Sequence, residues 1–288
     1  MTGRIYKGIG GFYYVKTEGG EVVEVKPRGI FRKRGQKPLA GDEVVLEEEA
    51  DTLFIAEILP RKNAFVRPPV ANVDTVFIVV STVDPSPSTL VIDKLSAVAV
   101  DEGAQPVLLL TKTDLAEGAE VLDIYAKAGF PAFETSVATG EGLTRLKEML
   151  KGKLSVFSGN SGVGKSTLLN VLHPDAQRET AQISKKLGRG RHTTREVEIF
   201  EVEGGLVADT PGFASFDLQR AATISAENLQ FAFPEIAQRM PACKFSGCTH
   251  MAETGCAIRK AVQSGEISPS RYRSYQILYE EAKESERF

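Results

Sequence analysis

The chain has 288 residues, a formal net charge of −3 at pH 7, and apolar and charged fractions ordinary for a soluble globular protein. That length allows two or three domains, and the charge balance excludes a protein that is basic throughout. Met1-Thr2-Gly3-Arg4 leads into no apolar segment, and the longest apolar stretches, Val76–Val80 and Val107–Leu110, are too short to cross a bilayer. A cytoplasmic protein without a membrane partner is expected.

Residues 1–65 read as β structure. Phe12–Val15 and Val22–Val25 are β-rich runs joined by Glu18-Gly19-Gly20-Glu21, a hairpin signal, and further strands are predicted at Glu43–Leu46 and Leu53–Ile58. Short strands in this number suit a Greek-key barrel of the OB type, with an SH3-like barrel as the competing topology. Lys26, Arg28, Arg32, Lys33, Arg34 and Lys37 form an acid-free basic loop within it, suited to RNA phosphates.

Residues 66–220 alternate between strand and helix. Strands are predicted at Val73–Val80, Pro106–Leu110, Ala132–Phe133 and Leu154–Phe157, with a hairpin of Val197–Val202 and Leu206–Ala208 across Glu203-Gly204-Gly205. Helices fall at about 88–102, 118–129, 141–150 and 165–172. The pattern is that of a mostly parallel sheet, whose ligands bind beyond the carboxyl ends of the strands.

The nucleotide motifs lie at those ends. Gly159-Asn160-Ser161-Gly162-Val163-Gly164-Lys165-Ser166 fits G-x-x-x-x-G-K-[ST], between an apolar strand and a helix that continues through Thr167. Its glycines let amide groups face phosphate oxygens, Lys165 neutralises the β- and γ-phosphates, and Ser166 ligates Mg²⁺. Asp209-Thr210-Pro211-Gly212 follows downstream, with Asp209 facing the Mg²⁺ shell and the Gly212 amide facing the γ-phosphate. Of the adjacent Thr193 and Thr194, Thr194 is the favoured further Mg²⁺ ligand. Thr111-Lys112-Thr113-Asp114 reads the base. The Asp114 carboxylate accepts from guanine N1–H and its 2-amino group together, a donor pair that adenine lacks. The Thr135-Ser136-Val137 loop offers a backbone amide to guanine O6. Thr111 stands where this motif usually carries asparagine, which removes a bridging amide and predicts modest affinity.

The base-reading segment comes last in an ordinary GTPase, and here it precedes the phosphate loop. A circularly permuted P-loop GTPase domain explains that inversion. Phe213 occupies the position where Ras-like GTPases place a water-orienting glutamine, so slow intrinsic turnover is expected. His192, in a basic loop carrying Lys185, Lys186, Arg189, Arg191 and Arg195, is the internal candidate for positioning water, with an RNA-facing role as the equal alternative. Lys165 and Thr194 complete the candidate catalytic set.

Residues 221–288 are expected to form a small, mostly helical, zinc-binding domain ending in a charged helical tail, Ser270–Arg287. Cys243, Cys248, His250 and Cys256 supply three thiolates and one imidazole within fourteen residues, enough for one closed, structural Zn²⁺ site. A catalytic zinc would keep a position open for water.

Together the barrel, the permuted motif order, Gly190-Arg191-His192-Thr193-Thr194, Asp209-Thr210-Pro211-Gly212-Phe213 and the Cys-Cys-His-Cys cluster resemble the ribosome small subunit-dependent GTPase A family (RsgA, also YjeQ or YloQ). The resemblance spans nearly the whole chain. It implies an OB-fold, a permuted GTPase domain and a zinc-binding C-terminal domain. It also implies a late role in assembly of the 30S subunit, with GTP hydrolysis stimulated by that subunit and contacts to 16S rRNA. By residue match it carries GTP contacts to Thr111–Asp114 and Gly159–Thr167, and zinc ligation to the four cluster residues. The alternative is a zinc-stabilised RNA-binding NTPase acting on another RNA or ribonucleoprotein. Neither a heptad pattern nor an exposed apolar stripe calls for a dimer, so a monomer is expected.

Overall fold

The computed structural model describes residues 1–50, 52–66, 68–174, 197–209 and 224–287. Near the N-terminus five strands, Thr2–Ile9 (β1), Phe12–Thr17 (β2), Val22–Pro27 (β3), Glu43–Glu49 (β4) and Thr52–Ile58 (β5), run in the order β1-β2-β3-β5-β4, and β4 pairs back onto β1 to close the barrel. All of these pairings are antiparallel except β3 with β5. A meander of successive hairpins cannot place β3 beside β5 in parallel, so the connectivity is that of an OB-fold and the SH3-like competitor is excluded. Ile5, Val15, Val25, Val44, Leu46 and Ile55 fill the barrel, and Phe31 from the one-turn helix Ile30–Lys33 (α1) packs with them. The basic segment after β3 thus contains a helical turn, and its Arg28 pairs with Glu47 at 2.9 Å.

Strand β1 is not among the predicted strands, for a physical reason. It buries only Ile5, carries Gly3 and Gly8, and breaks register between Ile5 and Lys7, so no period-2 apolar pattern marks it. The turn at Ala40-Gly41-Asp42 is held by chemistry no local pattern reveals. The fully buried Asp42 accepts two hydrogen bonds from Arg61, at 2.7 and 2.8 Å, and one from the Leu39 amide.

The described residues fall into two compact units. The first spans Met1–Thr75, Thr144–Phe157 and Ser166–Phe213. Besides the barrel and a short ribbon of Ala64–Phe65 (β6) and Val70–Ala71 (β7), it holds Leu154–Ser158 (β11), Glu198–Val202 (β12) and Gly205–Asp209 (β13). Strand β13 runs parallel to β11, with Val156 opposite Ala208, and antiparallel to β12, as the predicted hairpin requires. Strand β12 also pairs with β1 at Lys7 and Glu198, where the side chains form a 2.7 Å ion pair. Barrel and hairpin therefore share one hydrogen-bonded sheet.

The second unit spans Val76–Leu143, Ser158–Lys165 and Ala214–Phe288. Its sheet comes from Thr75–Ser81 (β8), Gln105–Thr111 (β9) and Ala132–Glu134 (β10), in the order β10-β9-β8, with β9 and β10 parallel. Every residue of β8 is buried and β9 is buried from Pro106 onward, which explains their near-continuous apolar runs. Helices Thr89–Asp101 (α2) and Ala119–Lys127 (α3) belong to this unit, while Leu143–Leu150 (α4) and Lys165–Leu172 (α5) cross the boundaries of the division. Toward the C-terminus come Pro234–Ala237 (α6), Ala257–Gln263 (α7) and Pro269–Ser285 (α8), with 3₁₀ turns at Leu229–Ala232 and Met240–Ala242.

The predicted charged tail is α8, and it is packed rather than free. Pro269 sits in its first turn, where a missing N–H costs nothing, and Arg271, Tyr275, Leu278 and Ala282 make a buried stripe at helical spacing. Arg271 is fully enclosed. It donates to Glu235 on α6 at 2.7 and 3.1 Å and to Asp93 and Ser96 on α2 at 2.8 and 3.2 Å, while the Tyr125 hydroxyl of α3 donates to Asp93 at 2.7 Å. One guanidinium thereby bonds α8 to α2 and α6, and Asp93 carries the network on to α3. Lys94 and Glu281 add a two-pronged ion pair between α2 and α8.

Candidate nucleotide and metal sites

The phosphate loop leaves β11 and enters α5. Gly159 has φ of +146°, and a Cβ there would overlap the Val79 carbonyl oxygen, so only glycine fits. Val163 is buried beneath the loop, whereas Ser161 and Gly162 face outward. The half-buried Lys165 ammonium donates to the carbonyls of Gly159 and Asn160, both at 2.6 Å. Burial lowers its pKa from the ordinary lysine value; a phosphate beside it would favour the charged form. Ser166 and Thr167 are exposed on the first turn of α5. Strand β13 ends at Asp209 alongside the end of β11, as the motif requires.

The base-reading loop follows β9 in the same unit as residues 158–165. The buried Thr111 hydroxyl donates to the Val163 carbonyl of the phosphate loop at 2.6 Å, with the Val80 carbonyl 3.2 Å away. The bridge expected to be lost with the asparagine is thus made by a hydroxyl. Lys112 has φ of +59°; its carbonyl accepts from the Thr82 hydroxyl at 2.8 Å, and its ammonium donates to the Asp84 carbonyl at 2.9 Å. The Thr113 hydroxyl contacts the Thr135 carbonyl at 3.3 Å. Asp114 is exposed, and the buried Ser136 donates to its Oδ1 at 2.6 Å, which holds the carboxylate in place.

Base-reading and phosphate loops are therefore joined by a direct hydrogen bond. His192, Thr193, Thr194, Gly212, Phe213 and the 185–195 basic cluster lie outside the described residues. Sequence reasoning missed Thr82 and Asp84, which act through a hydroxyl and a backbone carbonyl and carry no motif.

The four predicted metal ligands converge. Their ligand atoms all lie within 4.8 Å of one another, and His250 Nδ1 is 3.7 Å from Cys243 Sγ and 3.5 Å from Cys256 Sγ. Tetrahedral coordination with Zn–S and Zn–N bonds of about 2.3 and 2.0 Å places such donors about 3.6 Å apart, so the set fits one four-coordinate ion. Cys248, His250 and Cys256 are buried, and burial lowers the imidazole pKa, favouring the neutral ligand form. The Ala257 amide donates to Cys243 Sγ at 3.4 Å, and the Tyr272 and Tyr275 hydroxyls of α8 donate to the His250 and Thr249 carbonyls at 2.7 and 3.0 Å. His250 Nδ1 is the nitrogen turned toward the thiols, while Nε2 is buried without a hydrogen-bond partner among the described residues.

A phosphate loop bonded to a base-reading loop that precedes it in the chain, behind a closed five-stranded barrel, defines a circularly permuted P-loop GTPase. The family model "RsgA GTPase" matches residues 58–219 and "RsgA N-terminal domain" matches residues 2–53. The small ribosomal subunit biogenesis GTPase RsgA of Geobacillus sp. (strain WCH70) is 44% identical over 98% of this chain and 97% of its own length. The crystal structure of YloQ, described as a circularly permuted GTPase, has a TM-score of 0.81 at 36% identity, covering 99% of this chain and 95% of its own. YjeQ from Thermotoga maritima has a TM-score of 0.83 at 35% identity, covering 98% of both chains. The chain belongs to the RsgA GTPase family.

Proposed function

We propose that this GTPase hydrolyses GTP to GDP and phosphate on the small (30S) ribosomal subunit, late in that subunit's biogenesis, with the particle stimulating turnover. The observation that carries the nucleotide half of the reading is the 2.6 Å bond from Thr111 to Val163, which sets the guanine-reading loop against the phosphate loop in one compact unit. Relatives named for small-subunit biogenesis, matching over nearly the full length of this chain, support the other half.

In this reading Asp114, with Lys112, Thr113 and the Ser136 loop, holds guanine. Gly159–Thr167 cradles the phosphates, with Lys165 on the β- and γ-groups. Ser166, Asp209 and Thr194 serve the Mg²⁺ that enters with GTP, and Gly212 meets the γ-phosphate. His192 orients the attacking water, because no glutamine follows Gly212. A structural Zn²⁺ held by Cys243, Cys248, His250 and Cys256 ties the loop between them to α8; three thiolates and an imidazole suit zinc. The domain division 1–65, 66–220 and 221–288 accompanies this assignment. The barrel surface, where Arg28 and Arg34 line an open groove with Ile30 and Phe54, is a candidate contact for 16S rRNA. In this reading the protein works in the cytoplasm as a monomer, its localisation supported by relatives named for small-subunit biogenesis; among the described residues no helix is long and apolar enough to cross a membrane.

Phosphate release from GTP, measured with and without purified 30S subunits, tests the proposal. Slow hydrolysis that rises at least tenfold with the particle is expected. Equal rates would sink the subunit-dependent reading, and equal turnover of ATP would sink the guanine assignment.

A further inference from the structure

We propose that Thr82 is a positioning residue for guanine recognition, holding the base-reading loop in its productive shape from outside every nucleotide motif. The inference rests on the assignment of Thr111–Asp114 as the guanine-reading loop.

Lys112 adopts φ of +59°, a left-handed conformation that side chains other than glycine take only under compensation. Two contacts supply that compensation, and both come from the chain just beyond β8. The Thr82 hydroxyl donates to the Lys112 carbonyl at 2.8 Å, while the Lys112 ammonium donates to the Asp84 carbonyl at 2.9 Å. The Thr82 amide also donates to the Thr111 carbonyl at 3.0 Å, and its hydroxyl lies 3.2 Å from that same oxygen. The segment Thr82–Asp84 therefore grips Lys112 at both its backbone and its side-chain end, in the residue that turns the chain between Thr111 and Asp114. The turn decides where the Asp114 carboxylate points, and Ser136 then locks one of its oxygens. The same segment reaches the phosphate side, where Pro85 lies 3.7 Å from the place a Cβ on Gly162 would occupy. Thr82 touches neither base nor phosphate in this arrangement; it acts through Lys112.

The Thr82→Val variant tests this, since valine keeps the β-branched shape and the backbone bond while removing the hydroxyl. The control is Thr82→Ser, which restores the donor alone. Binding of N-methylanthraniloyl-GDP is measured by fluorescence titration, and GTP turnover gives KM and kcat separately. Thr82→Val is expected to weaken GDP binding and raise KM about tenfold, with kcat at saturation within twofold of the parent and Thr82→Ser within threefold of parental affinity. Parental affinity in Thr82→Val, equal weakness in the two variants, or a loss confined to kcat would each overturn the proposal. The parent is first tested for preference of GDP over ADP. No preference there defeats the guanine assignment itself, whereas a clear preference with an unaffected Thr82→Val variant defeats only the role of Thr82.

Discussion

At the residue scale, the proposed guanine selection rests on one carboxylate, Asp114, whose position is set by a neighbour. Asp114 is exposed and would sample several rotamers, but Ser136 is buried on a fixed loop and donates to Asp114 Oδ1 at 2.6 Å. A hydrogen bond to a charged acceptor contributes about 1.5–3 kcal/mol, and exposure of the acceptor puts this one at the low end. The Ser136→Ala variant should therefore weaken GDP binding about tenfold while preserving the preference for guanine over adenine, as titration against both diphosphates would reveal; unchanged GDP affinity would remove Ser136 from the site. The Asp114 motif was readable from sequence because its chemistry sits in one string of four residues. The compensation at Thr111 was not, since the reach of its hydroxyl to Val163 depends on how closely β9 approaches a loop about fifty residues away in the chain.

At the element scale, strands and helices with strong apolar periodicity were legible, and those shaped by distant partners were not. Helix α2 is recognisable from its sequence, yet nothing local indicates that its buried Asp93 meets Arg271, far along the chain on α8. Burial raises the Asp93 pKa, and Arg271 together with hydrogen bonds from Ser274 and Tyr125 works against that rise. Burial likewise opposes the Arg271 charge, and Asp93 and Glu235 more than offset it. Replacing the arginine with methionine keeps the volume but leaves two buried carboxylates without their cation, a change that costs about 3–5 kcal/mol at pH 7. The sign of its pH dependence follows. In Arg271→Met the folded-state pKa of Asp93 climbs further above its unfolded value, so protonation favours the folded form. The stability this contributes is full below the unfolded pKa, near 4, and disappears as pH rises through the folded one. Urea unfolding should accordingly show the deficit of Arg271→Met shrinking as pH falls from 7 toward 4; a deficit constant over that whole range would mean that Asp93 gains no proton in the folded variant.

For the whole molecule, a permuted chain order places the Cys243, Cys248, His250 and Cys256 cluster after the nucleotide motifs, in a segment that shares its compact unit with the Thr111–Asp114 loop. Within that unit a continuous series of contacts can be followed. The Cys243–Cys256 loop is fastened to α8 through Tyr272 and Tyr275, α8 is clamped to α2 through Arg271 and Lys94, and α2 follows the segment whose Asp84 carbonyl holds Lys112. The two ends of this series differ in what supports them. The loop of residues 243–256 holds no helix or strand and lies between the short 3₁₀ turn Met240–Ala242 and α7, so a metal bound by its four candidate ligands would supply much of its order. The base-reading loop is anchored by β8 and β9, which are buried along nearly their whole length, and by Thr111 on the phosphate loop. Stripping the metal with a strong zinc chelator should therefore lower the thermal midpoint by several degrees and open residues 243–256 to protease, with the released metal close to one zinc per chain by mass spectrometry. GDP affinity should stay within about threefold, because the β-strands and not the cysteine cluster fix Asp114. Loss of GDP binding in step with metal release would show instead that the helices transmit order from the cluster to the base-reading loop. Cys256→Ser, which removes one ligand without adding chelator, should reproduce the zinc loss and the protease sensitivity in the same proportion.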